Sequence, residues 1–169
     1  MATLTIDTTE LFASLDATWK KFGDLFSSAD PNLINKIPFE GSWTIGQVVR
    51  HVTKSNSGMV KALQMQGTIA ARDLLQAEPK LKQIFLDFNA KYNSPEFIIP
   101  EIKEYQKEDL LRALESTIQQ LKEQREKQDL SELLSLDILG ELTKFELLYF
   151  VLYHTQRHIH QLENILKEI

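Results

Sequence analysis

Apolar residues recur along this chain at steps of three and four, the period of a helix with one buried face, over four long stretches. Leu11, Leu15, Trp19, Phe22 and Phe26 outline the first. It is predicted to start at Asp7, whose carboxylate caps it while Glu10 reaches back as a capping-box partner, and to stop near Ala29-Asp30-Pro31. After an irregular stretch from Asn32 to Ser42, Thr44-Ile45-Gly46-Gln47 forms a second capping box. Ile45, Val49, Val52, Met59 and Leu63 then keep helical spacing to about Gly67. A third long helix is predicted over Lys107 to Lys127, with Leu110, Leu114, Ile118 and Leu121 inward and Glu115, Lys122 and Glu126 on a solvated face. Gly140 breaks the chain, Thr143-Lys144-Phe145-Glu146 supplies a third capping box, and the last helix runs nearly to Ile169.

Thr68 to Gln106 is less regular. Leu81, Ile84, Phe85 and Phe88 predict a short helix after Pro79, and the stretch Asn93 to Pro100 should be extended, because Pro95 and Pro100 each disfavour helix before them. So long a connection suits a crossover between distant helix ends. No internal repeat, low-complexity tract or strand pair is legible, so the pattern predicts one all-α domain over residues 1–169: a four-helix bundle with a long crossover.

The apolar stripe of the last helix is interrupted by two imidazoles. Leu147, Val151, His154, His158, Leu162 and Ile165 share one face, so both histidines point where a bundle buries its leucines. A third histidine, His51, lies on the second long helix, on an edge with Gln47, Val48 and Ser55. Two imidazoles one turn apart can hold one ion, and a third from another helix would leave an open position for water or substrate. A lone HxxxH is a weak motif, and its plain alternative is a pair of core histidines that satisfy each other. His160, about 200° round the helix from His158, is assigned to the surface, to a subunit contact or to the rim. Gln161 and Gln47 could each hydrogen-bond an outer imidazole nitrogen or a metal-bound water, or be ordinary surface amides. Trp43 is either packing at the bundle end or a wall of the pocket.

Composition narrows the chemistry. There is no cysteine, so any metal must rest on imidazole and oxygen, and disulfides and a thiol nucleophile are excluded together. A formal net charge of -5, without a lysine- and arginine-rich face, argues against nucleic acid as a partner. No apolar run approaches the roughly 20 residues that span a bilayer, and MATLTIDTTELF does not read as a signal peptide. The expectation is a soluble cytoplasmic protein acting on a small molecule. There is no GxSxG elbow, no P-loop, and no glutamate three residues before His154 or His158, which favours one mononuclear ion over a di-iron centre.

Three blocks resemble the DinB/YfiT-like superfamily: Gly41-Ser42-Trp43-Thr44 leading to His51-Val52, the segment from Phe85-Leu86-Asp87-Phe88 to Pro100, and His154-Thr155-Gln156-Arg157-His158-Ile159-His160-Gln161-Leu162. A tryptophan eight residues before the first histidine, together with a late HxxxHxxQL, carries the likeness. The resemblance implies a four-helix bundle, frequent homodimers, and a zinc or nickel site ligated by His51, His154 and His158. Members of that superfamily include transferases and isomerases that use small thiols such as bacillithiol or mycothiol, and others described as metal-dependent hydrolases. The expected function is therefore a metal-dependent enzyme in which the ion lowers the pKa of a small thiol or of water. The alternative is a non-catalytic metal-binding or stress-response bundle.

Overall fold

The computed structural model describes residues 6–169. In chain order the helices are α1 (Thr9–Ser28), α2 (Ile45–Gln64), α3 (Glu78–Leu86), α4 (Lys107–Lys127) and α5 (Lys144–Glu168). Three strands, β1 (Thr68–Ile69), β2 (Glu132–Leu136) and β3 (Gly140–Thr143), complete it. The reading of the first twelve residues falls partly on residues 1–5, which lie outside those described.

The stripes of the four long helices are buried except at Met59 and Ile118, which are half-buried. Leu11, Leu15, Trp19, Phe22 and Phe26 of α1 are buried, as are Leu110, Leu114 and Leu121 of α4, whereas Ile118 is half-buried and bridges two apolar clusters. One cluster gathers Leu15, Leu63, Leu121 and Leu147, the other Phe22, Phe26, Val49 and Leu162. Burying a side chain of this size stabilises the fold by about 1.5–3 kcal/mol, offsetting the entropy lost in ordering the chain. The principal neighbours are α2 with α4, α1 with α5, and α2 with α5. Helix α1 thus packs mainly on α5, at the other end of the chain, and α4 mainly on α2 across the long crossover that contains α3.

Both later capping boxes form. The Thr44 hydroxyl accepts from Gln47 N at 3.1 Å while Gln47 Oε1 accepts from Thr44 N at 2.9 Å, and Thr143 and Glu146 repeat the exchange at 3.0 and 2.9 Å. These caps fix where α2 and α5 begin, and hence the register of the histidines along each. The first box does not form: α1 begins at Thr9, and Asp7 accepts from Thr9 N at 3.0 Å without a Glu10 counterpart. Helix α2 stops at Gln64, before the expected Gly67.

Two sequence expectations are corrected. The chain has an antiparallel sheet of order β1-β2-β3, with Leu134 opposite Leu142 and Thr68 opposite Leu133. Its strands are short, β1 having only two residues and β2 being rich in leucine, so neither alternation nor a run of β-branched residues marks them. Gly67, read as a helix end, instead lets the chain lie against β2: a Cβ there would sit 2.7 Å from Glu132 Cβ. Gly140 opens β3 with φ 72°, a conformation that glycine adopts without strain. The second correction lies in Asn93 to Pro100, where Glu96–Ile98 forms a 3₁₀ turn rather than extended chain. Pro95 immediately precedes it, with its own backbone in the extended range that proline favours.

Helix α3 begins at Glu78 with Pro79 in its first turn, where the missing N–H costs nothing. It packs along α5. Phe88 lies beyond its end and is exposed. Among the described residues no helix is long and apolar enough to cross a membrane.

Candidate metal centre

His51 lies in the second turn of α2, and His154 and His158 lie one turn apart near the middle of α5. Because α2 and α5 pack together, the three rings meet, all buried, with relative exposures of 2, 6 and 7%. His51 Nε2 is 3.1 Å from His154 Nε2, and His158 Nε2 is 3.2 Å from the same atom. They form a group whose ligand atoms all lie within 4.8 Å of one another, the one such cluster of histidines and carboxylates among the described residues.

The outer nitrogens decide what the inner ones can do. His51 Nδ1 is 2.9 Å from the Ile98 carbonyl, which can only accept, so Nδ1 carries the proton and donates. His158 Nδ1 likewise donates to Gln161 Oε1 at 2.7 Å. Burial is the largest influence on all three rings and pushes their pKa values down, those of His154 and His158 well below the ordinary histidine range. The neighbouring imidazoles lower His154 and His158 further, the positive charges of Lys54 and Arg157 add to the depression, and the bonds to Ile98 and Gln161 oppose it only in part. The rings are therefore neutral at neutral pH, and the Nε2 atoms of His51 and His158 are bare lone pairs. A proton on His154 Nε2 can be aimed at only one of them.

A cation satisfies all three nitrogens at once. Zinc-to-imidazole bonds of about 2.0–2.1 Å in a tetrahedral arrangement put neighbouring nitrogens about 3.3 Å apart, close to the 3.1 and 3.2 Å from His154 Nε2 to its two neighbours. The donor set of three neutral imidazoles suits a borderline divalent ion. The residues present fit such an ion.

Aromatic rings wall the cluster. Trp43, half-buried, has its ring centroid 4.9 Å from that of His51, so it packs at the bundle end and lines the site as well. Phe150 stacks on His154 at 5.2 Å and Phe85 meets it edge-on at 6.0 Å. Arg157, next to His158, donates to the carbonyls of Phe85, Asp87 and Ala90, and so clamps the end of α3 beside the cluster. Sequence reading missed the Ile98 carbonyl, a backbone group with no signature, and Phe85 and Phe150, whose spacing marks them only as core.

The remaining candidates separate. Of the two readings left open for Gln161, contact with an outer imidazole nitrogen or a surface amide, the geometry has the first: its Oε1 lies 2.7 Å from His158 Nδ1. Gln47 does not contact His51; its amide oxygen is spent on Thr44 N, and the Ile98 carbonyl takes the place it was expected to fill. His160 faces away from the cluster, stacked on Phe88 at 4.3 Å with Asn164 within 3.2 Å.

Residues 14–162 match the family model of the DinB superfamily. No curated protein matches the chain. The fold is similar to that of TT2238, a four-helix bundle protein: 21% identity, TM-score 0.60, covering 92% of this chain and 97% of that one. It is also similar to YfiT from Bacillus subtilis, described as a probable metal-dependent hydrolase with an unusual four-helix bundle topology. There the identity is 13% and the TM-score 0.60, over 99% of this chain and 91% of that one.

Proposed function

The chain belongs to the DinB superfamily, and from that premise we propose that it is a metal-dependent enzyme whose centre is held by His51, His154 and His158. The observation that carries this reading is the convergence of three Nε2 atoms on one point, with two outer nitrogens fixed as donors by Ile98 and Gln161. A divalent ion such as zinc or nickel, held by His51, His154 and His158, would supply Lewis acidity there and would lower the pKa of a small thiol or a water. The chain's own residues hold the His51 and His158 rings in one tautomer and line the cluster with Trp43, Phe85 and Phe150, which limit water around it. The chain has no cysteine, so any sulfur nucleophile must come from a small thiol. We favour thiol transfer over hydrolysis on the family resemblance, with a small electrophile as substrate and a cytoplasmic homodimer as the working form.

The test uses protein purified without a histidine tag. Elemental analysis should find about one divalent ion per chain. After cobalt substitution, adding a small thiol should produce a sulfur-to-cobalt charge-transfer band that is absent in His154→Ala, and an electrophile should then be consumed. Cleavage of an ester or amide without thiol would assign the hydrolase instead. A cobalt spectrum unchanged by saturating thiol, with no turnover in either assay, would leave a metal-binding bundle without catalysis.

A further inference from the structure

Helix α2 grips the segment before α4 at three points, and the gripping residues surround the first histidine. His51 Nδ1 donates to the Ile98 carbonyl at 2.9 Å. Lys54 Nζ donates to the Ile99 carbonyl at 2.9 Å and to the Glu101 carboxylate at 3.2 Å. Arg50 forks onto both oxygens of that carboxylate, Nε to Oε2 and the terminal nitrogen to Oε1, each at 3.0 Å. Tyr105 adds a hydroxyl bond to the Glu101 carbonyl at 2.6 Å and one to its carboxylate at 3.2 Å.

The link from Glu101 back to Ile98 is short and stiff. Pro100 is buried and its ring locks φ. The 3₁₀ turn Glu96–Ile98 is closed by Ile98 N to the Pro95 carbonyl at 3.1 Å and Ile99 N to the Glu96 carbonyl at 3.2 Å. The position of the Ile98 oxygen is therefore set from one side by that turn and from the other by the carboxylate that α2 holds. A bidentate pair of this kind fixes geometry as well as charge.

We infer that Glu101 is a positioning residue for His51: held by Arg50 and Lys54, it places the Ile98 carbonyl so that His51 keeps its proton on Nδ1 and turns its Nε2 lone pair toward His154 and His158. The inference rests on the metal-centre reading for its consequence, because groups that orient a ligand typically change metal affinity about 10–100-fold when lost. Its structural content is independent of the ion. Nothing else on α2 contacts the outer face of the His51 ring through a hydrogen bond, since Gln47 is committed to its cap.

Nitrogen NMR of the imidazoles in the metal-free protein, together with zinc competition titrations, tests it. Wild type should show His51 as a single Nδ1–H tautomer. Glu101→Ala and Arg50→Ala should each give a mixture of tautomers and weaken zinc binding about 10-fold or more. Glu101→Gln, which keeps an acceptor for Arg50, should fall between them and wild type. Asp16→Ala removes a comparable ion pair with Arg125, between α1 and α4. It should change neither the tautomer nor zinc affinity, whatever it does to the melting temperature. A single unchanged His51 tautomer in Glu101→Ala and Arg50→Ala, both folded, overturns the inference. Wild-type protein that shows the tautomer shift in its variants but binds no zinc would overturn the metal reading and leave the positioning role standing.

Discussion

Gln161 stands three residues after His158 on α5, and its Oε1 lies 2.7 Å from His158 Nδ1. A carboxamide oxygen on the outer nitrogen leaves the inner nitrogen free of a proton, so this pair does for His158 what the Ile98 carbonyl does for His51. Gln161→Leu should preserve the fold, since the side chain is only half-buried, and lower zinc affinity about 10–100-fold. Gln161→Glu should keep affinity at or above the wild-type value, because a carboxylate accepts the same bond more strongly. Equal affinity in Gln161→Leu and wild type, measured by competition with a chromophoric chelator, would remove Gln161 from the site.

The three-imidazole arrangement predicts a sharp contrast within α5. His51→Ala, His154→Ala and His158→Ala should each lose most of their metal, whereas His160→Ala, whose ring stacks on Phe88 outside the cluster, should retain it. Metal analysis after purification without added ions decides this. Similar losses in all four variants would mean that the ion is held elsewhere.

An ion that binds only the folded chain stabilises it by mass action, about 2.7 kcal/mol at a free concentration one hundred times the dissociation constant. Chelation should therefore lower the melting temperature and re-addition should restore it. In the chelated protein, joint replacement of His154 and His158 by leucine should be neutral or stabilising, because two buried imidazoles give way to apolar groups on an otherwise apolar stripe. A chelated wild type that melts at the same temperature as the loaded protein would show that the centre does not support the fold.

Much of this was legible in the chain before any coordinates. The helical stripes and the Thr44 and Thr143 boxes are local patterns, each set by residues within a turn of one another, and they place His51, His154 and His158 on their faces. What escaped is non-local. The sheet depends on Gly67 meeting Glu132 and on Leu134 meeting Leu142, contacts that strands of only two to five residues do not announce. Gln47 was a candidate for the centre because of its spacing from His51, but the cap competes for the same amide and prevails because both of its partners lie in the same turn. The group that reaches His51 instead is a main-chain oxygen 47 residues away.

The Arg72–Glu146 pair concerns the base of the site helix. Glu146 is fully buried and accepts from both terminal nitrogens of Arg72 at 3.0 and 2.7 Å, from Ala77 N at 2.6 Å and from Thr143 N at 2.9 Å. It thereby joins the start of α5, the end of β3 and the approach to α3. Glu146 is buried but Arg72 is partly exposed, so losing Arg72 should cost less than the about 3–5 kcal/mol of a fully buried pair, while still leaving the Glu146 charge with backbone donors alone. Arg72→Ala should destabilise by about 1–3 kcal/mol in denaturant unfolding, with the metal-loaded protein still binding its ion at reduced stability. A loss below about 1 kcal/mol would place the pair among exposed ion pairs.

Glu101 gives a pH dependence whose sign can be worked out. The Arg50 guanidinium, through its hydrogen bonds, and then Lys54 hold this carboxyl well below its ordinary value of 4.5. Above that value both the folded and unfolded chains carry the charge, and the stability contributed by the pair is fully present. As pH falls below it, the unfolded chain takes up a proton that the folded chain resists, so the contribution is lost progressively toward acid. Glu101→Gln lacks this titration. Other carboxylates titrate in both proteins and cancel in the comparison. Wild type should therefore lose more stability than Glu101→Gln between about pH 5 and about pH 3, and the gap between them should narrow as acid is added. Glu101 is about 43% exposed, so the effect should also shrink at high salt, where surface charges are screened. Parallel pH profiles for the two proteins at low salt would show that the carboxylate is not held by Arg50 and Lys54 in solution.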